Sequence, residues 1–267
     1  MGPLLLKDQT MRKIQIGGLA LAGLLFTHAA SAQYADTVVS YFSGTGFSPG
    51  YTNPAAALGE PSRITPGTFG GPVDPFDPPY LPNQLVSIGT GGSLTVKFTR
   101  PIINHPRNRF GIDFIIFGNA GFIITNAFDP NTFDWIGTPA TDGSLFGNNT
   151  GTSRVSVSRD GIQYYNLDPS AAPQVDGLLP TDGNGNFHVP AAPGLTPADF
   201  AGLTLEEIRM LYYGAAGGAG YDISWAKDAT GQAVILQEIN YVRVEILSGK
   251  AEVDGMAAVF VPRGLEP

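Results

Sequence analysis

The chain has 267 residues, with 15 lysines and arginines against 23 aspartates and glutamates, and its formal net charge is −8. An acidic surface repels nucleic acid and anionic lipid, so neither is expected as a partner. The absence of cysteine excludes disulfides, thiol catalysis and zinc–thiolate sites, and three histidines leave little material for a histidine-based centre.

Residues 1–32 have the organisation of a secretory signal peptide. Arg12 and Lys13 form a basic segment, residues 14–26 are apolar, and the small residues ending at Ala32 form a cleavage site. The apolar run is shorter than the ~20 residues that a membrane-spanning helix needs. We therefore predict export, with no membrane-spanning segment in the mature chain. The start is left open between Met1 and Met11.

Residues 33–267 are predicted to form one all-β domain, because short apolar stretches alternate with turn residues as in a β-sandwich. The nearly continuous apolar run 110–117 predicts a central strand that is covered on both faces. Asp160-Gly161 predicts a hairpin with a type I′ turn. The predicted strands are residues 36–42, 93–98, 110–117, 154–158, 163–167, and a closing pair at 238–247 and 251–261.

Helix is predicted at only two places. Thr204 and Glu207 form a capping box, apolar residues follow at helical spacing, and Gly214 ends the helix. A shorter start signal begins at Thr196. Residues 60–90 and 126–150 are predicted to be long loops.

Two sets of oxygen-bearing side chains are candidate calcium ligands. Asp182, Asn184 and Asn186 alternate as at the start of a calcium loop, although an EF-hand is excluded, so an ordinary Asn–Gly turn is the alternative. Asp36 and Asp254 are the second set, because the first and last strands of a jelly roll lie close together. Alternatively, acids inside apolar segments cap loop ends or pair with arginines.

Gly46-Phe47-Ser48-Pro49-Gly50 matches the G-x-S-x-G motif of serine hydrolases. That motif needs a helix after the serine and a backbone N–H directly after it, and Pro49 has no N–H. Ser48 is therefore predicted to lie in an ordinary loop, and no catalytic residue is predicted.

Aromatic residues are concentrated in the predicted loops. Aromatic faces beside Asp and Asn side chains suit sugar rings, so Trp135, Phe133 and Tyr80 are the predicted ligand-binding residues. The alternative is that these rings pin the long loops onto the sandwich. The loop aromatics are Phe69, Phe76, Tyr80, Phe128, Phe133, Trp135 and Phe146.

Residues 154–167 resemble a hairpin of discoidin-like and galactose-binding-like jelly rolls, in which Ser-x-Asp-Gly precedes a strand with an aromatic and a leucine. Residues 53–61, 86–94, 110–122, 220–226 and 251–255 together resemble bacterial secreted "cell surface proteins", many of which carry PEP-CTERM sorting tails. The resemblance implies a single galactose-binding-like jelly roll with long loops and one or two short helices. No such tail is visible after residue 261, so secretion, surface attachment and periplasmic residence all stay open.

Three functions are consistent with these features. The first is a non-catalytic extracellular module that binds a glycan or matrix component, with calcium as a structural cofactor. The second is a polysaccharide hydrolase that uses paired carboxylates. The third is a purely structural surface or matrix protein without a small ligand.

Overall fold

The computed structural model describes residues 33–146 and 151–260. The predicted signal peptide and the chain after residue 260 lie outside the described residues. Within the described part, no helix has the length and apolar character needed to cross a membrane.

The described residues are mostly β, as predicted. The strands are β1 (Thr37–Phe42), β2 (Val86–Gly89), β3 (Ser93–Ile103), β4 (Phe114–Phe117), β5 (Gly121–Ile124), β6 (Phe128–Asp129), β7 (Asp134–Trp135), β8 (Thr141–Phe146), β9 (Thr152–Ser158), β10 (Tyr165–Leu167), β11 (Ala219–Tyr221), β12 (Ala226–Lys227), β13 (Glu238–Ser248), β14 (Lys250–Val253) and β15 (Gly255–Ala258). The helices are α1 (Pro197–Phe200) and α2 (Leu205–Tyr212), and 3₁₀ turns cover Pro54–Ala57, Arg109–Gly111 and Ile223–Trp225.

All strand pairs are antiparallel in this part of the chain. A six-stranded sheet has the order β1-β3-β13-β9-β10-β12, and a three-stranded sheet has the order β11-β4-β15. Three smaller pairs are β14-β2, β5-β8 and β6-β7. This arrangement is consistent with an all-β sandwich, while the jelly-roll topology stays a prediction.

Strand β4 shows how the core is built. Phe114 and Ile116 pack in one core cluster with Val96 and Val242 of the six-stranded sheet. The alternate residues of β4 belong to a second cluster on the opposite face. The prediction of a strand covered on both faces is therefore confirmed, although the strand is shorter than predicted because Phe110 adopts a left-handed φ of 59°.

Two predicted pairings are wrong in detail. The hairpin at Asp160-Gly161 exists, but Tyr165 pairs with Val157, and of the two turn residues only Gly161 has a positive φ. The connection is thus longer than a two-residue type I′ turn. The predicted closing pair does not form, because β13 pairs with β3 and β9, whereas β14 pairs with β2 and β15 with β4.

Helix α2 begins as predicted. The side chain of Thr204 accepts from the Glu207 N–H, and the Glu207 carboxylate accepts from the Thr204 N–H at 2.8 Å. Ile208 and Tyr212 are buried in a third cluster with aromatic residues of β5 and α1. A β-bridge between Ala140 and Thr204 places the start of this helix beside the segment that follows β7.

Candidate functional site

An open groove of about 640 Å³ lies where the loop 74–77, the β6–β7 hairpin and the start of α2 meet. This volume falls in the range typical of small-molecule sites, about 300–1,000 Å³. The lining residues are Asp74, Phe76, Asp77, Ile124, Trp135, Thr138, Pro139, Thr204, Leu205, Glu206 and Arg209.

The first wall of the groove is a tight turn at residues 74–77. Backbone hydrogen bonds join Asp74 and Asp77 in both directions, at 3.1 and 3.0 Å. One carboxylate oxygen of Asp74 also accepts from the N–H groups of Phe76 and Asp77, at 2.8 and 3.0 Å. This Asx-type turn fixes the backbone that carries Asp77 into the groove.

The second wall is the segment from Trp135 to Pro139. Phe128 pairs with Trp135 across the β6–β7 hairpin, and their rings meet edge to face with centroids 5.3 Å apart. The Asn126 amide donates to the carbonyls of Ile136 and Thr138 at 3.1 Å, which holds the hairpin against this segment. These contacts therefore fix the position of the Trp135 indole without a ligand.

Carboxylates outnumber cations around the groove. Asp74, Asp77 and Glu206 line it, and Arg209 is its one positively charged lining residue in the described chain. Arg209 is already bound to Asp182 by two hydrogen bonds, at 2.9 and 3.1 Å, and the Asp182 carboxylate is nearly fully buried. The positive charge of Arg209 is therefore largely neutralised by Asp182, and the groove keeps its acidic character.

Asp77 differs from the other acids of this site. No hydrogen-bond donor or cation from the described residues contacts its carboxylate. Burial raises the pKa of Asp77, and the neighbouring Asp74 carboxylate raises it further. Burial likewise raises the pKa of Asp74, although its two N–H donors and Arg209 act in the opposite direction.

The three predicted ligand-binding aromatics are not all brought together. Trp135 lines the groove. Phe133 lies on the same hairpin with 80% of its surface exposed and packs on Phe128, but it does not line the groove. Tyr80 lies outside the lining as well, and its carbonyl accepts from the Tyr51 hydroxyl at 2.5 Å.

The predicted calcium loop is an ordered turn in the structure. Asp182 accepts from the Asn184 N–H at 3.1 Å in addition to its two bonds from Arg209. The Asn186 side chain accepts from the N–H of His188 at 2.9 Å. The hydrogen bonds within residues 182–188 are those of the ordinary turn that was the alternative to a calcium loop, and the pairing of Asp182 with Arg209 was not predicted.

The other predicted calcium pair, Asp36 and Asp254, has separate partners. Asp36 accepts from Thr37 and Thr99, whereas Asp254 accepts from the N–H and hydroxyl of Ser62 at 2.7 and 2.8 Å. Burial raises the pKa of Asp254 to about 7. Across residues 33–146 and 151–260, no group of three or more histidine and acidic side chains is arranged to hold a metal ion. Calcium binding stays a prediction.

Ser48 lies in a loop, and a partly buried polar cluster surrounds it, with Glu252 as its buried centre. Its hydroxyl donates to the Glu252 carboxylate and accepts from the Lys250 ammonium at 2.8 Å. The Asn119 amide donates to the second oxygen of Glu252 at 2.6 Å, and Asp176 accepts from the Glu252 N–H at 3.0 Å. The carboxylate, hydroxyl and ammonium groups satisfy one another, so this cluster joins the loop, β14 and the end of β4.

Sequence reasoning missed Asp74, Asp77, Glu206 and Arg209 as site residues. The spacing Asp-Pro-Phe-Asp at 74–77 is a signal for a tight turn, but it does not show what the turn faces. Glu206 was visible only as an acid in the first turn of a helix, where such residues are common.

No protein family profile matches the chain, and a search of curated proteins finds no significant relative.

Proposed function

We propose that this protein is a non-catalytic, extracellular glycan-binding module whose binding site is the groove around Trp135. The observation that supports this proposal most directly is the placement of an indole beside carboxylates in one concave, preformed site. A sugar presents a C–H face that packs on an aromatic ring, and its hydroxyls donate hydrogen bonds to carboxylates.

The lining of the groove suits such a ligand. Trp135, Phe76 and Leu205 provide apolar surface, while Thr138 and Glu206 offer polar groups. The walls are fixed by the 74–77 turn and by the Asn126 hydrogen bonds. Preorganisation lowers the entropy lost on binding, so a small contact area gives useful affinity.

The remaining parts of the proposal come from the sequence. The signal-peptide pattern and the resemblance to bacterial cell surface proteins support a location outside the cytoplasm. A structural calcium ion is retained as part of the proposal, with Asp36 and Asp254 as its first candidates.

A glycan array screened with residues 33–267, followed by calorimetric titration of each hit, tests the proposal. Trp135→Ala is expected to weaken binding by about tenfold or more, which corresponds to about 1.4 kcal/mol. Phe133→Ala is the matched control, because this ring lies on the same hairpin but outside the groove. The affinity of this variant for the glycan is expected to stay within about twofold of wild type. A screen without hits, or equal losses in both variants, would contradict the assignment.

The hydrolase hypothesis is the second candidate, and the raised pKa of Asp77 favours it. A raised pKa lets a carboxyl hold its proton to a higher pH, as a general acid requires, and Glu206 and Asp74 line the same groove as candidate partners. Release of reducing ends from a bound oligosaccharide, abolished by Asp77→Asn, would support this function over simple binding.

A further inference from the structure

We infer that the groove recognises an amino sugar, with the sugar ring against Trp135 and its ammonium group beside Asp77. The inference rests on the proposed function and names the class of glycan that the same site takes. Two observations support it: the acidic charge of the groove, and the Asp77 carboxylate, which no hydrogen-bond donor of the described residues contacts.

The charge distribution favours a cationic ligand. Asp74, Asp77 and Glu206 line the groove, and the guanidinium of Arg209 is engaged by the buried Asp182 carboxylate. A uronic acid or sulfated sugar would bring another negative charge among these carboxylates. Like charges at short range in a partly desolvated site repel each other strongly, so anionic glycans are disfavoured.

Asp77 supplies the contact point. Its carboxylate lines the groove without a hydrogen bond or ion pair from the described residues, whereas Asp74 is held by two N–H donors. The raised pKa of Asp77 has the same origin, because burial and the neighbouring carboxylate both oppose its charge. A cation at this position would relieve both effects and add a charge-assisted hydrogen bond.

The arrangement suits an ammonium group better than a calcium ion. Calcium takes about six to eight oxygen ligands, while an ammonium group needs about three acceptors. One oxygen of Asp74 already accepts two hydrogen bonds from its own turn. Among the described residues, the acids of the groove are not arranged as a group of three that could hold a metal ion. The indole beside the carboxylates also contributes to binding a ring-bearing cation.

Calorimetric titration of residues 33–267 with three oligosaccharides tests the inference. The probes are a β-1,4-linked glucosamine tetramer, its fully N-acetylated counterpart and a tetragalacturonate, at pH 6 in the presence of a chelator. N-acetylation removes the charge and keeps the ring, so we expect the glucosamine tetramer to bind about tenfold tighter than the acetylated one. The difference should shrink as salt is added.

Single substitutions test which residues cause the preference for the amino sugar. Asp77→Asn should abolish the preference for the amino sugar, while Asp142→Asn, an exposed acid of β8 outside the groove lining, should retain it. Trp135→Ala should weaken both neutral and cationic tetramers. If Asp77→Asn does not fold, as judged by circular dichroism, Glu206→Gln on the α2 side provides the same test with a smaller expected loss of preference.

The outcomes separate the inference from the proposed function. Equal affinity for the two glucosamine-based tetramers, or tighter binding of tetragalacturonate, would overturn the amino-sugar inference and leave glycan binding intact. Failure of all sugars to bind would overturn both. Tetralysine binding as tightly as the glucosamine tetramer would overturn sugar recognition as well, because charge alone would then explain the affinity.

Discussion

The cluster around Ser48 and the groove around Trp135 both combine carboxylates with other polar groups, but they differ in how those groups are satisfied. In the Ser48 cluster, both oxygens of Glu252 accept hydrogen bonds from the protein, and Lys250 has two partners. In the groove, Asp77 has none among the described residues. Satisfied buried polar groups fix a structure, while an unsatisfied group in an open concave site remains available to a ligand.

The largest change in the free energy of unfolding is expected when the hydrogen bonds of the Ser48 cluster are removed. Glu252→Ala removes the acceptor of the Ser48 hydroxyl, one hydrogen bond of the Asn119 amide and the ion pair with Lys250, so the free energy of unfolding should fall by about 3 kcal/mol. Urea unfolding followed by circular dichroism measures this change.

Glu245→Ala is the matched control for this prediction. Glu245 also lies on a late strand, but it forms a partly exposed ion pair with Arg154, which is expected to contribute about 0.5 kcal/mol. Similar losses in the two variants would remove the distinction between a buried network and a surface pair.

A smaller change in stability is expected when Asp254 is replaced. This buried carboxylate accepts hydrogen bonds from two neutral groups of Ser62. Its pKa in the folded protein is about 7, above the ordinary value of 3.8, so folding favours the protonated form. The stability contributed by this group is full below about pH 4 and is lost as the pH rises through about 7. Asp254→Asn stays neutral and can keep both bonds to Ser62, so it should be more stable than wild type by about 1–3 kcal/mol at pH 8 and equal to it near pH 4.

Unfolding curves recorded from pH 4 to pH 8 give the difference between the two proteins directly. A constant difference across this range would show that Asp254 does not titrate with a raised pKa. A loss of the difference on adding calcium would support a metal ion beside this carboxylate.

The smallest effect on stability is expected in the groove. Asp77→Asn removes a partly buried charge without removing a protein hydrogen bond, so unfolding at pH 7 should change by less than about 0.5 kcal/mol, in the stabilising direction. Asp160→Asn is the contrasting variant, because this carboxylate accepts from the N–H groups of Ile162 and Gln163 and should lose stability on substitution. Thermal melts of both variants beside wild type check the sign, and a clear loss for Asp77→Asn would mean that this residue is structural.

Local patterns predicted the parts of the fold that local physics determines. The capping box at Thr204 and Glu207 fixed the start of α2 because its two hydrogen bonds join residues three apart. The apolar run around β4 predicted burial on both faces, since no polar face was present. The sheet change between β14 and β15 was missed, because pairing with β2 or β4 depends on residues more than a hundred positions away.

The site was predictable only in part for the same reason. Trp135 was found from composition, because large aromatics are conspicuous in a loop rich in Gly and Asn. The carboxylates beside it come from residues 74–77 and from α2, and sequence spacing does not show that these segments meet. An ordinary turn was one of the two alternatives for residues 182–186, but the pairing of Asp182 with Arg209 was not predicted, because only the fold brings the arginine to that turn.

The position of β13 has a consequence for how the chain reaches its native state. This strand lies in the middle of the six-stranded sheet, between β3 and β9, yet it is one of the last elements along the sequence. The three-stranded sheet likewise needs β15 at its edge. Neither sheet is complete until nearly the whole chain has been synthesised, so folding is dominated by distant pairings and should be slow. Slow folding would suit the export that we propose, because a chain must still be extended when it passes through a translocation pore.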